Sequence, residues 1–335
     1  MMIQVAILGC GTMGQTHAQG YRNIEGVKVT AVCDIRKEQG TVLAELLRSE
    51  YYSQADELFS KASFDVLDIC LPTYLHKEYA LLAMKGGKHV FCEKPIALTA
   101  EDAEAMIECA QRCNVYFSVG HVVRFFPPYN QAISLIGKKR IGIPRLIRTT
   151  RNQAFPPWSW ENWYHKSDKS GGPEVDLMIH DFDLIIHHFG KVERVFAKNL
   201  GETLADQRHS LCILRLANGA MAHVEGSWAL PKGSEFRTTY EIVGTEGQIC
   251  YDSTRDTPLK IQISEDLDKP IRYDNPMLGG MNPYEAELRA FYEALREGKP
   301  VAVTGEQALE ALEVALAAVE SARTGKSVTL ARGTR

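Results

Sequence analysis

Apolar runs alternate with amphipathic stretches from the first residues to about residue 122. Runs at 3–8, 27–33, 66–70, 88–92 and 115–119 have the length and continuity of buried strands, whereas 12–24, 36–48, 74–86 and 100–113 carry apolar positions at helical spacing. Tyr51 and Tyr52 supply a short third strand. Strands that alternate with helices are joined by crossovers, which predicts a doubly wound parallel sheet with helices on both faces. Ligands of such sheets gather at the carboxyl ends of the strands, and this singles out the loops after residues 8, 33, 70 and 92.

The texture changes beyond Arg124-Phe-Phe-Pro-Pro128. A helix near 128–139 leads to a strand at 144–153, an aromatic loop containing Phe155, Trp158, Trp160, Trp163 and Tyr164, and a helix at 174–188. Strand-like segments follow at 192–199, 209–217, 220–229, 237–243, 247–251 and 259–264, several separated by hairpin signals such as Asn218-Gly219. Helices at 284–297 and 305–323 end at Gly298 and Gly325, where C-caps belong. The chain therefore reads as an α/β protein in two parts: a parallel-sheet domain over 1–122, and an α+β domain over 123–335 with an open, mainly antiparallel sheet.

Composition narrows the class. At 335 residues, 45% hydrophobic and 24% charged, the chain has enough apolar material for two cores. A net charge of −4 without a Lys/Arg block gives no sign of nucleic acid or an anionic membrane as partner. The eight cysteines form no C-x-x-C pair and read as buried free thiols of a reducing compartment. No run approaches the length needed to span a bilayer, and no basic segment precedes the first apolar one, so the expectation is a cytoplasmic protein.

The first βα turn carries Gly9-x-Gly11-x-x-Gly14, and Asp34 follows twenty residues later at the end of the second strand. Gly9 suits a sharp turn, Gly11 a close approach of backbone amides to a pyrophosphate, and Gly14 tight packing of helix on sheet. The helix starting near Thr12 and Met13 aims its partly positive end at the phosphates. Asp34 is placed to accept from both ribose hydroxyls, which favours NAD. Arg36 tempers that preference, since a guanidinium there can pair with the 2′-phosphate of NADP or stack on adenine.

Three further clusters fall at the marked places. Cys70-Leu71-Pro72-Thr73 with His76 follows the fourth strand, Glu93-Lys94-Pro95 follows the fifth, and Gly171 through Asp183 lies in the second domain. Positions four and seven apart share a helix face, so Asp176, His180 and Asp183 form one expected stripe. Metal binding by that stripe is disfavoured because no further His/Cys cluster completes a site. His76 has a second reading as a helix cap. His180, of the residue type that titrates near neutrality, is the natural base for an alcohol proton; Asp176 can orient it, and Lys94 can donate to a developing alkoxide. Trp158, Trp160 and Trp163 suit either stacking on a sugar face or anchoring the loop. Arg124 and Tyr284 are candidate substrate contacts or supports of the domain junction.

The glycine turn, Pro72-Thr-Tyr-Leu-His76, Gly86-Gly-Lys-His-Val-Phe-Cys-Glu93-Lys94-Pro95, Gly120 through Arg124-Phe125, and Asp176-x-x-x-His180 together resemble the successive motifs of the glucose-fructose oxidoreductase/inositol dehydrogenase (Gfo/Idh/MocA) family. The ending from Thr304-Gly-Glu306 to Gly325-Lys326 is similar to that of its inositol dehydrogenase-like members. The resemblance implies a Rossmann domain and an NAD(P)-dependent oxidoreductase acting on a secondary alcohol of a sugar, inositol or related polyol, held between the nicotinamide and the open sheet. It implies Lys94, Asp176 and His180 as catalytic residues, Glu93 and His76 near the nicotinamide ribose or phosphates, and Leu71, Pro72 and Thr73 bordering the cofactor. It also implies a cis Lys94–Pro95 peptide and a homodimer or homotetramer built on the second sheet. Pro173 replaces the family's usual third glycine and Tyr164 a frequent arginine, departures that blur the substrate. The alternatives are a catalytically inactive dinucleotide-binding sensor or scaffold, and an NAD-dependent glycoside-cleaving enzyme whose cofactor returns unchanged.

Overall fold

A computed structural model describes residues 2–156, 159–200, 209–263, 272–274 and 281–330. The chain divides into two compact units, Met1–Phe125 with Met281–Leu309, and Phe126–Gly280 with Glu310–Arg335.

The first unit is built on strands β1 (Ile3–Leu8), β2 (Val27–Cys33), β3 (Glu50–Tyr52), β4 (Val66–Ile69), β5 (His89–Glu93) and β6 (Phe117–Gly120). All pair in parallel, in the order β3-β2-β1-β4-β5-β6, which is the doubly wound order of a dinucleotide-binding sheet. Val5 to Leu8, all of β4 and all of β6 are buried, as expected of strands covered on both faces. The covering helices are α1 (Thr12–Tyr21), α2 (Lys37–Leu47), α3 (Ala55–Lys61), α4 (His76–Lys85) and α5 (Ala100–Cys113). Seven-residue α3 was not anticipated. It is too short for a clear helical period and presents one buried residue, Leu58. Helix α5 is the best signalled: Thr99 accepts the Asp102 N–H at its start, and Asn114 closes it with φ 52°.

The second unit holds helices α6 (Pro127–Gly137), α7 (Ser167–Ser170), α8 (Gly172–Asp176) and α9 (Ile179–Phe189). Its strands are β7 (Pro144–Ala154), β8 (Val192–Leu200), β9 (His209–Leu216), β10 (Met221–Leu230), β11 (Arg237–Gly244), β12 (Gly247–Asp252), β13 (Leu259–Ile263), β14 (Arg272–Asp274) and β15 (Val328–Thr329). Among the described residues they form one sheet in the order β14-β13-β12-β11-β7-β10-β9-β8-β15. The pairing is antiparallel except between β7 and β10. Alternation of buried and exposed positions in β8 and β9 gives the sheet one apolar face and one open face.

The chain then returns to the first unit through α10 (Pro283–Glu297), and the division falls within α11 (Gly305–Thr324). Expectation ran the second domain unbroken from 123 to 335; instead Met281–Leu309 packs with the nucleotide-type sheet. The reason is the apolar stripe of α10. Leu288, Phe291 and Tyr292 are fully buried in one cluster with Val5, Ile7, Tyr21, Leu43 and Phe91. Asn282 caps α10 by accepting the Tyr284 N–H, Pro283 sits in its first turn, and Gly298 ends it at φ 65°.

Leu288→Ala should therefore cost about 2–5 kcal/mol, read as a lower denaturant midpoint, because a cavity opens in the first unit's core. Leu82→Ala, at a side chain 43% exposed, should stay within about 0.5 kcal/mol.

Candidate active site

The β1–α1 turn explains two of its three glycines by crowding. A Cβ on Gly9, whose φ is +100°, would lie 2.4 Å from the Cys70 carbonyl oxygen, and one on Gly14 would lie 2.0 Å from the Gly9 oxygen. Gly11 is different. It has extended backbone angles, and an added Cβ would meet only the Arg36 guanidinium at an ordinary 3.5 Å. Nothing inside the described protein requires glycine there, which leaves close approach from outside as the physical reason. No side chain caps α1 at Gly11, so Thr12 and Met13 open the helix with their amides clear of any capping group. This turn fits a pyrophosphate.

Asp34 lies at the end of β2, 6% exposed, and accepts from the Cys10 N–H at 2.8 Å. Arg36 folds back onto the same carboxylate, its N–H at 2.8 Å, Nε at 3.0 Å and Nη2 at 2.8 Å. Burial works to raise the Asp34 pKa, and the Arg36 hydrogen bonds overcome it and hold the group below the usual carboxylate range. The carboxylate already accepts four hydrogen bonds, three of them from Arg36, so it has room for hydroxyls only where the Arg36 side chain turns aside.

The loops after β4 and β5 are tied together by His76, the fully buried first residue of α4. One ring nitrogen lies 2.8 Å from the Pro95 carbonyl oxygen and the other 2.8 Å from that of Leu71. Burial holds its pKa below the ordinary value against the pull of those carbonyls. Its place is that of a brace between two loops, not of a simple helix cap. Pro72 precedes a short 3-10 turn that begins at the buried Thr73. Lys94 is half-buried at the tip of β5, the Lys94–Pro95 peptide is cis, and the Lys94 N–H donates to Glu93 Oε2 at 3.1 Å.

Glu93 leads into a network that sequence reasoning missed. Its Oε1 lies 3.0 Å from His17 Nε2, and His17 Nδ1 lies 2.9 Å from Asp68 Oδ2. The Tyr21 hydroxyl donates to Asp68 at 2.8 Å, and the Tyr292 hydroxyl donates to Tyr21 at 3.1 Å. The Cys70 thiol approaches the His17 ring at 3.4 Å. His17, Asp68 and Tyr292 are fully buried. Two signals were available: an acid in the middle of the apolar run Val66–Ile69, and a histidine three residues past Gly14 on a buried face.

In the second unit the expected continuous helix is interrupted. Asp176 ends α8 and His180 is the second residue of α9. Between them the Leu177 and Met178 amides both donate to the Pro173 carbonyl, so the ladder slackens for one turn and the stripe of Asp176, His180 and Asp183 is not a straight one. Asp176 and Asp183 are buried, and His180 is half-exposed. The first turn of α9 is anchored by Asp181, which accepts from Arg151 Nε at 2.9 Å and Nη2 at 3.2 Å; both side chains are buried.

The remaining candidates divide. Trp163 is buried and stacked on Tyr164 with ring centres 4.1 Å apart, and Tyr164 packs on Trp228, so it anchors its loop. Trp160 is 37% exposed, and Trp158 lies outside the described residues. Arg124 donates to Gln307 at 2.8 Å within the first unit. Tyr284 places its ring 6.5 Å from that of His17.

Residues 3–121 match a family model described as an oxidoreductase family with an NAD-binding Rossmann fold, and residues 133–330 match the C-terminal alpha/beta domain of the same family. The chain belongs to the Gfo/Idh/MocA oxidoreductase family. A myo-inositol 2-dehydrogenase of Thermotoga maritima is 30% identical over 98% of each chain. A scyllo-inositol 2-dehydrogenase (NAD(+)) of Bacillus subtilis is also 30% identical, over 98% of this chain and 96% of that one. Among solved structures, a levoglucosan dehydrogenase in complex with NADH and levoglucosan has a TM-score of 0.90 at 24% identity, covering 99% and 100% of the two chains, a likeness of fold. As a Gfo/Idh/MocA member this protein is an NAD-dependent oxidoreductase. Among the described residues no helix is long and apolar enough to cross a membrane, and all eight cysteines are free.

The glycine geometry separates binding from folding. Gly11→Ala should melt within a few degrees of the parent while NAD affinity falls about tenfold or more, whereas Gly14→Ala should lose stability by several kcal/mol. Calorimetric NAD titration beside thermal melts checks both, and intact NAD affinity in Gly11→Ala would refute the account of the turn.

Proposed function

We propose that this oxidoreductase oxidises a secondary alcohol of a sugar, inositol or related polyol with NAD. The observation that carries this reading is that the likeness to inositol 2-dehydrogenases runs through both units, so the half of the chain away from the cofactor turn is shared as well. Bound NAD supplies the hydride acceptor. The chain's own residues manage the proton and the charge. His180 takes the hydroxyl proton, and Asp176 orients its imidazole or holds a neighbouring hydroxyl. Lys94 donates a hydrogen bond to the oxygen as it gains negative charge. Gly9, Gly11, Thr12, Met13 and Gly14 hold the pyrophosphate, and Asp34 the adenine ribose. Leu71, Pro72, Thr73, His76 and Glu93 line the cofactor's other end. Arg36 leaves NADP open as a second cofactor, because the guanidinium now on Asp34 can turn to a 2′-phosphate. Arg124, Trp163 and Tyr284 complete the proposed substrate contacts, with Trp163 acting through the loop it anchors.

Free, mostly buried thiols support a cytoplasmic setting. The open face of the second sheet supports a homo-oligomer: Phe196, Ile213 and His223 lie side by side across β8, β9 and β10, with Phe196 41% and Ile213 48% exposed. Ile213→Glu should shift the protein to a smaller species in sedimentation; an unchanged mass would remove this face from assembly.

A panel of inositols, aldoses and their 1,5-anhydro forms, followed by absorbance of reduced cofactor with NAD and then NADP, tests the activity. Net NADH is expected with at least one polyol. Glycoside cleavage without net NADH would establish the redox-neutral alternative. His180→Ala should lower kcat by about two to four powers of ten while NAD affinity changes by less than about threefold. Loss of NAD affinity in parallel would move His180 from proton transfer to structure.

A further inference from the structure

Under the tip of β5 lies a chain of buried groups that reaches well beyond the residues assigned to hydride transfer and cofactor binding. It runs from the Tyr292 hydroxyl to Tyr21, to Asp68, through the His17 ring to Glu93, and ends on the backbone N–H of Lys94. Each link is 3.1 Å or shorter. We propose that His17 is a positioning residue for Lys94: donating from both ring nitrogens, it locks the Glu93 carboxylate, which holds the Lys94 amide and sets where that side chain leaves the sheet. This rests on the reading of Lys94 as the group that stabilises the alkoxide.

The geometry demands two protons on the ring. Each nitrogen faces a carboxylate oxygen, and an ionised carboxylate only accepts, so both nitrogens must donate and the ring is an imidazolium. Burial pushes the His17 pKa down, but the Asp68 and Cys70 contacts outweigh it and hold the pKa well above the ordinary histidine value. Glu93 agrees from the other side: burial works upward, and the His17 hydrogen bond brings its pKa below the usual carboxyl range.

A third acid, Glu287 of α10, faces the same space. It is 3% exposed, its two oxygens have no hydrogen-bond partner among the described residues, and burial together with Glu93 pushes its pKa well above the carboxyl value. Two aromatic rings also pack near the His17 ring, with ring centres 5.7 Å away for Phe91 and 6.5 Å away for Tyr284. With both ring nitrogens against carboxylates, Glu93 is fixed on His17, and with it the amide it holds.

Purely structural pairing predicts the same contacts, so the test must read something that stability does not move. Histidine-15N NMR of the wild-type protein should show one imidazole with both nitrogens protonated throughout about pH 6 to 9, and that signal should move in Glu93→Gln. Deprotonation of every histidine within that range overturns the proposal whether or not any variant folds. In kinetics at saturating NAD, Glu93→Gln should lower kcat about 10- to 100-fold, and in a Lys94→Met background it should add less than about twofold. An additive loss would mean that Glu93 acts apart from Lys94, and the proposal falls. If Lys94→Met keeps full turnover, the catalytic reading of Lys94 falls and takes this inference with it. If Lys94→Met is crippled and Glu93→Gln is not, only the positioning role is lost. His17, Glu93 and Glu287 also bring potential ligand atoms within 4.8 Å of one another. One equivalent of divalent metal in the purified wild-type protein, lost on Glu287→Gln, would replace the proton of this account with a cation and overturn it.

Discussion

Asp68 is an ionisable group in the middle of a strand whose every residue is buried, and the first unit is organised around satisfying it. An uncompensated carboxylate there would cost several kcal/mol, more than most single contacts return. Compensation comes from two helices. Helix α1 brings His17 and Tyr21 to the two oxygens, and α10 brings Tyr292 to back Tyr21. The segment Met281–Leu309 is therefore part of the nucleotide-type unit for a polar reason as well as an apolar one, with Leu288 and Phe291 filling the core beside the same network.

The cofactor turn and this network share a helix. Gly14 lets α1 sit against the Gly9 carbonyl, and that close seating is what carries His17, one turn further on, to β4 and β5. The N-terminal end of α1 thus opens on the glycine turn, while its buried side holds the charges under the strand ends. His76 sits in an analogous place between the loops after β4 and β5, its two ring nitrogens each 2.8 Å from a loop carbonyl oxygen, one of which can receive the single N–H of the neutral ring.

The second unit solves the same problem with a different pair. Arg151 on β7 and Asp181 on α9 meet bidentately in a buried site, fixing the first turn of the helix that carries His180. The aromatic loop is fixed by packing, with Trp163 on Tyr164 and Tyr164 on Trp228. Across the open face, Phe196, Ile213, His223, Arg148 and Glu241 follow one another from strand to strand, apolar at one end and charged at the other.

Periodicity, turn residues and motif spacing were enough to read the parallel sheet, the mainly antiparallel sheet, the glycine turn with Asp34, and the family, because each is a property of neighbours along the chain. Short α3, the break between Asp176 and His180, and the placement of α10 escaped that reading, since seven residues carry little period and amphipathicity does not say which core a helix joins. The partners of His17, Asp68, Glu93 and Glu287 escaped it altogether. Those residues lie dozens to hundreds of positions apart, and each looks ordinary alone; burial in one low-dielectric pocket is what forces their charges to be settled against one another, and burial exists only once the chain has folded.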